Sequence, residues 1–226
     1  MHIHAAEQVK EVEDCLAWSG KRPVEWLLDN AALDSRWCLI HATHMNGDET
    51  RRLAQSGAVA GLCPITEGSL GDGFFNASEF KQAGGRFGIG SDSNILIGIT
   101  DELRQLEYAQ RLARRSRNVM ADPGASTGRA LFDAALTGGA KALGRPLPAI
   151  AAGAPADLVS LDANHPALIG RSNDAILDSW IFGTSRPAVD SVWIAGRQKV
   201  SGGRHLDRET IFARFRAAVD AMTARL

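Results

Sequence analysis

Four short apolar runs, separated by longer connecting stretches in which helical patterns recur, constrain this chain more than any other feature. The runs are residues 2–6 (HIHAA), 37–42 (WCLIHA), 58–63 (AVAGLC) and 86–90 (RFGIG). Helical patterns at 23–28 (PVEWLL) and 48–55 (DETRRLAQ) lie between the first three, the second closing on Gly57. Strands alternating with helices predict a parallel sheet, because parallel neighbours need a long crossover. The runs start at residues 2, 37, 58 and 86, giving intervals of 35, 21 and 28. A closed (β/α)8 barrel of ~250 residues allots roughly 31 residues to each unit. Four units therefore predict an α/β fold that is half of a TIM-like barrel.

Two helices are predicted after the fourth run. Thr100 and Asp101 precede residues 102–115, with Leu103, Leu106 and Leu112 on one face; residues 126–143 end at Gly144 and Pro146. Composition then shifts at 148–155 (PAIAAGAP). Short β-type runs at 157–161, 179–181 and 191–195, a turn at Gly196 and Arg197, and a return strand from Lys199 predict a small β layer. Residues 207–226 carry Ile211, Phe215, Val219 and Met222 at helical spacing. The expected organisation is a half-barrel over 1–147, part of a β-sandwich over 148–206, and a C-terminal amphipathic helix over 207–226.

Net charge is −1, from 25 basic and 26 acidic side chains, so no nucleic-acid partner is expected. The basic cluster at 111–117 (RLARRSR) suits a solvated helix end, where cations favour the dipole. There is no apolar run long enough for a bilayer, and no basic-then-apolar leader pattern at the start. Cys15, Cys38 and Cys63 are odd in number and form no CxxC, which fits reduced thiols and a cytoplasmic location.

Active groups of βα barrels sit where strands end and loops begin. His4 lies near the end of the first run with Glu7 in the turn after it; His41 ends the second, and Asp92 follows the fourth in GSDSN. Imidazole and carboxylate are the donors of a catalytic zinc that keeps one position open for water. Such an ion lowers the pKa of its water towards ~7, and a nearby carboxylate can then carry the proton. Each residue alone has a structural alternative: His4 a packed ring, Glu7 a helix-start carboxylate, Asp92 a turn cap. Their shared position at strand ends, in order, argues for chemistry. His2 shares the face of His4 but lies deeper, which favours a structural role, and His44 is a loop residue. The stretch 63–73 (CPITEGSLGDG) is expected to be a sharply turning loop at the same mouth, with Thr66 and Glu67 placed to meet a substrate.

HxxE at one strand end, His at the next and Gly-Ser-Asp-Ser at the last resemble the amidohydrolase superfamily, in its aminohydrolase (deaminase) branch. More narrowly, HAAEQ, HATH, CPxTExxLGDG, GSDS and LEYxQRL resemble the formimidoylglutamate deiminases. The likeness runs from residue 2 to about 143, and Ala156-Asp157-Leu158-Val159 is similar to the superfamily's C-terminal β-sandwich. The resemblance implies zinc, one ion per complete site, with His4 and Asp92 as ligands. It implies Glu7 as proton shuttle, Asp92 as also contacting the water, and His41 as the histidine that polarises the attacked centre or holds the water; Thr66, Glu67 and Ser93 are expected as substrate contacts beside these. The implied reaction converts N-formimidoyl-L-glutamate to N-formyl-L-glutamate and ammonia, a step of histidine degradation. The implied partner is a small-molecule substrate, and the full-length family form is expected to be a homo-oligomer.

No His-x-His precedes residue 2, and the HAAEQ continuation matches the family's fifth strand. The expectation is therefore a fragment, strands five to eight, without the first-strand zinc ligands. Two readings stay beside it: another deaminase of guanine or adenosine type, and a catalytically inactive half-barrel remnant.

Overall fold

The computed structural model describes residues 1–94 and 96–224. Strands β1 (His2–Ala5), β2 (Cys38–His41), β3 (Val59–Leu62) and β4 (Arg86–Ile89) form a sheet in that order, parallel throughout. The crossovers are helical: α1 (Val9–Ser19) with α2 (Pro23–Asn30), then α3 (Gly47–Ser56), then α4 (Pro64–Leu70) with α5 (Ala77–Gln82). Helices α6 (Ile99–Arg114) and α7 (Thr127–Ala142) follow. The four strands fall within their predicted runs.

One face of the sheet is packed on helices. Leu39, Ala60, Leu62 and Phe87 belong to a buried cluster with Val12, Leu53, Phe80 and Leu131. Each large side chain buried there contributes ~1.5–3 kcal/mol. The registered row His4, Ile40, Gly61 and Gly88 belongs to the other face. His2, Cys38, Ile40, Gly61, Cys63 and Gly88 border a cavity of about 200 Å³ whose remaining lining includes Gly139 and Ala142 of α7. Helix α7 approaches β4 so closely that a Cβ on Gly138 would lie 1.8 Å from the Phe87 carbonyl oxygen.

Three local expectations are corrected. Residues 63–73 are not a loop throughout: Pro64 opens α4 and Gly71, in the left-handed region at φ 75°, closes it. Proline at the first helical position and Glu67 in the first turn outweigh the glycines. Helix α6 starts at Ile99 after Gly98, so Thr100 and Asp101 lie inside it, and Asp101 pairs with Arg104 at 3.2 Å. Helix α1 was not foreseen, since Val12 is its one buried residue and its apolar stripe is thin.

Helix α6 also explains the LEYAQRL motif. Buried Glu107 accepts hydrogen bonds from Val119 N, Met120 N and Arg111 Nε at 2.7–3.0 Å. Buried Gln110 donates to Phe75 O at 2.8 Å and accepts from Ser78 N at 3.2 Å. The motif fastens two loops to one helix.

The chain divides into two compact units, Met1–Pro148 with Arg171–Gly183, and Ala149–Gly170 with Thr184–Leu226. Residues 179–181 are therefore not a strand of the β layer. Helix α8 (Asp174–Asp178) runs into a π-helical turn, Ser179–Gly183, which buries Trp180 and Ile181. Arg104 Nε donates to Ile181 O at 2.7 Å, and the Trp180 ring lies 6.0 Å from Phe132. Packing against α6 and α7 overrides the β propensity of these residues.

The second unit is antiparallel: β5 (Leu158–Leu161), β6 (Val189–Ile194), β7 (Arg197–Ser201) and β8 (Arg204–His205), in that order. It ends in α9 (Arg208–Thr223), whose Ile211, Phe215, Val219 and Met222 are exposed. The predicted helix extends to 226, and residues 225 and 226 lie outside the described ones.

Candidate active site

The C-terminal end of the parallel sheet gathers the sequence-derived candidates. Ala6, His41, Ala42 and Asp92, at or just beyond the ends of β1, β2 and β4, all adopt left-handed backbone, with φ between 49° and 66°. The conformation costs a non-glycine residue roughly 1–2 kcal/mol. At His41 it has a purpose. Alternation from Leu39 sends residue 41 towards the helices; the left-handed turn accompanies a ring that lies 5.5 Å from that of His4. Glu11 holds the neighbouring turn, accepting from Ala6 N at 2.6 Å and Glu7 N at 2.9 Å.

His41 is the centre of the cluster and is 1% exposed. Its Nδ1 donates to Glu67 Oε1 at 3.4 Å. Its Nε2 lies 3.5 Å from Glu7 Oε1 and 3.6 Å from Asp92 Oδ2, yet forms no hydrogen bond among the described residues. Burial by itself lowers the ring's pKa, but the Glu67 hydrogen bond and the charges of Glu7, Glu67 and Asp92 together leave it raised. A buried nitrogen facing two carboxylates favours a positive charge between them, either a proton or a cation.

Around this centre, each remaining candidate has a definite place. Glu67, 2% exposed, also accepts from Cys63 N at 3.1 Å. Thr66, 4% exposed, donates to Ser91 O at 3.1 Å and accepts from Asn94 Nδ2 at 3.4 Å. Both side chains are occupied by the protein and brace the loops that carry His41 and Asp92. Ser93 is exposed, and its N–H donates to Asp92 Oδ1 at 2.6 Å. His2 Nε2 donates to Ala142 O at 2.9 Å, away from the cluster. His44 lies in the loop after β2, where its carbonyl accepts from Arg22.

Behind the cluster, Glu102 accepts from Ile65 N at 2.9 Å with one oxygen and leaves the other without a partner. Burial pushes its carboxyl up to about 7. Cys63, beyond β3, is raised to about 12 and Cys38 to about 11, both by burial, so both are neutral thiols. His41, Cys63 and Asp92 each offer a ligand atom within 4.8 Å of the others.

Residues 1–199 match the model of the amidohydrolase family. The chain belongs to that family. It is 52% identical over 210 residues to formimidoylglutamate deiminase of Pseudomonas aeruginosa, covering 92% of this chain and 46% of that protein. The crystal structure of an amidohydrolase from Brucella melitensis superposes with a TM-score of 0.93 at 59% identity, over 98% of this chain and 49% of that one. An adenosine deaminase from Xanthomonas campestris with bound zinc superposes at 0.86 with 26% identity, over 99% and 51%. This amidohydrolase chain thus spans about half the length of the relatives it matches.

Sequence reasoning missed three contributors to the cluster: Glu11, the link from Glu67 to His41, and Cys63 as a donor. Cys63 was readable, since it follows the third strand as His41 ends the second. The Glu67 link was not, because it depends on α4 replacing the expected loop.

Proposed function

We propose that this chain supplies the hydrolytic centre of a deiminase that converts N-formimidoyl-L-glutamate and water to N-formyl-L-glutamate and ammonia. The observation that carries this reading is the convergence of Glu7 and Asp92 on the unpartnered Nε2 of His41. The 52% identity to formimidoylglutamate deiminase favours the substrate.

The donor set fits a zinc ion, since imidazole and carboxylate groups surround a buried nitrogen with no partner of its own. His4 and Asp92 would hold it, one ion per complete site. A zinc ion bound there supplies a water acidified towards a pKa of ~7. Glu7, with its side chain 24% exposed, takes the proton of the attacking water and returns it to the departing nitrogen. His41, held by Glu67, polarises the attacked centre or holds the water through Nε2. Thr66 positions the 91–94 loop, and exposed Ser93 is the group available to a substrate.

The parallel sheet is read as strands five to eight of an eight-stranded barrel. Both β1 and β4 are edges of the sheet, so a complementary set of four strands is needed to close the site. The closed enzyme is taken to be a homo-oligomer acting on a small molecule of histidine degradation. The three free cysteines of this chain fit a reducing cytoplasm; no helix among the described residues is long and apolar enough to cross a membrane.

The test pairs this chain with the part of the Pseudomonas deiminase that it does not match. Ammonia release from formimidoylglutamate is then measured on the zinc-loaded complex. Turnover is expected, and Glu7→Gln should lower kcat by about 10²–10⁴-fold. A second reading, a purine deaminase, draws on the likeness to the Xanthomonas adenosine deaminase. Preference for adenosine or guanine would favour it, and a soluble, zinc-loaded complex idle on all three would leave an inactive remnant.

A further inference from the structure

Away from the sheet end, a cavity of about 500 Å³ opens between the last turns of α6, the start of α7 and the segment Arg171–Gly183. Its volume falls in the range of small-molecule pockets, and none of its lining residues belongs to the candidate active site. Two guanidinium groups border it, those of Arg111 and Arg171, beside Asn118, Thr127, Asp178 and Phe182.

Arg111 is already fixed in place. Its Nε donates to Glu107 Oε1 at 2.7 Å and its Nη2 to Asn118 Oδ1 at 3.3 Å. Its guanidinium lies 5.1 Å from the Phe182 ring centre and 5.4 Å from that of Tyr108. A side chain held this way loses little freedom on binding. Arg171 is exposed and has no hydrogen-bond or ion-pair partner among the described residues. Two like charges bordering one cavity repel unless an anion lies between them.

A further donor comes from the wall. Thr127 is 5% exposed and lines the cavity, yet its hydroxyl has no hydrogen-bond partner among the described residues. A buried hydroxyl without a partner is costly, and a bound acceptor would relieve it. The neighbouring amides of α7 are already taken: Gly128 N donates to Asp178 Oδ1 at 2.7 Å and Arg129 N to Ser126 Oγ at 3.0 Å.

Charge selects the ligand. Glu107 offsets Arg111, and Asp178 offsets the positive end of α7, so roughly one cationic charge, that of Arg171, remains unmatched. That suits a monoanion better than a phosphate dianion. The planar fork of arginine fits a carboxylate edge, and Phe182, Ala125 and Ala175 offer an apolar wall for a carbon chain.

We propose that this cavity binds a small organic carboxylate, which accepts hydrogen bonds from the guanidinium of Arg171 and the hydroxyl of Thr127. The inference stands on residues that the deimination reading does not use.

Fluorine NMR of trifluorobutyrate, titrated with the purified chain, tests it. Saturable line broadening is expected. Unlabelled butyrate should reverse it, whereas inorganic phosphate and butylammonium at the same concentration should not; these arms need no variant. Arg171→Ala, a change to an exposed side chain without partners, should weaken binding at least about tenfold. Thr127→Val, which keeps the shape and removes the hydroxyl, should weaken it about two- to tenfold. Absence of broadening, reversal by phosphate or butylammonium as effective as by butyrate, or binding indifferent to either substitution would overturn the proposal. None of these outcomes bears on the deimination reading, whose residues lie at the sheet end.

Discussion

At the N-terminal end of the parallel sheet, left-handed backbone falls on Gly57 and Gly84, just before β3 and β4. At the C-terminal end the same conformation falls on Ala6, His41, Ala42 and Asp92. The polar groups differ in the same sense. His2, near the N-terminal end, has its partner in Ala142 O, whereas His41 Nε2 and Glu102 Oε1 have none among the described residues. Where the chain need only turn, it uses the residue that turns freely. Where a side chain must be aimed, backbone strain and unsatisfied groups are tolerated, and such strain concentrates at functional sites. One end stabilises the fold; the other carries its candidate chemistry.

Adjacent glycines in α7 give the sharpest way to break this contrast. Gly138→Ala forces a methyl into the Phe87 carbonyl. It should cost on the order of 3 kcal/mol, outweighing the ~1 kcal/mol gained in helix propensity. Chemical denaturation would measure it, and a neutral result would mean that α7 can move away from β4 freely. Gly139→Ala meets nothing within 4 Å and should stabilise by up to ~1 kcal/mol in the same assay.

A pH-dependent effect belongs to the other end. Because the Glu102 carboxyl is raised from 4.5 to about 7 in the folded protein, its contribution to stability is fully present below pH 4.5. That contribution is lost as pH rises through about 7. Glu102→Gln, which can still accept from Ile65 N, should therefore match the wild type in Tm at low pH and exceed it above pH 7. A constant difference across that range would show that Glu102 does not titrate as its surroundings imply.

The sheet was legible because strand spacing and short apolar runs are carried by composition. His4, Glu7, His41 and Asp92 were legible for the same reason, as polar residues at or beside the ends of apolar runs. Their convergence was not. It depends on a φ of 66° at His41 and on Glu67 reaching it from a helix whose glycines 68 and 71 read as breakers. Residues 179–181 misled in the opposite direction, since an apolar triplet fits a strand as well as a turn packed under Phe132 and Arg104. Local pattern names elements well and aims side chains poorly.

Glu107 and Gln110 bear on how this region tolerates change over time. Both recognise backbone N–H and C=O groups, of residues 119–120 and of the chain entering α5 at 75–78, and so are indifferent to most side chains there. They are sensitive to loop length instead. A residue inserted between Arg111 and Val119 would shift two amide protons off one buried carboxylate, leaving Arg111 to satisfy it alone where lost hydrogen bonds are costly. Substitutions can accumulate on these loops, while insertions and deletions are held out by two side chains on a neighbouring helix.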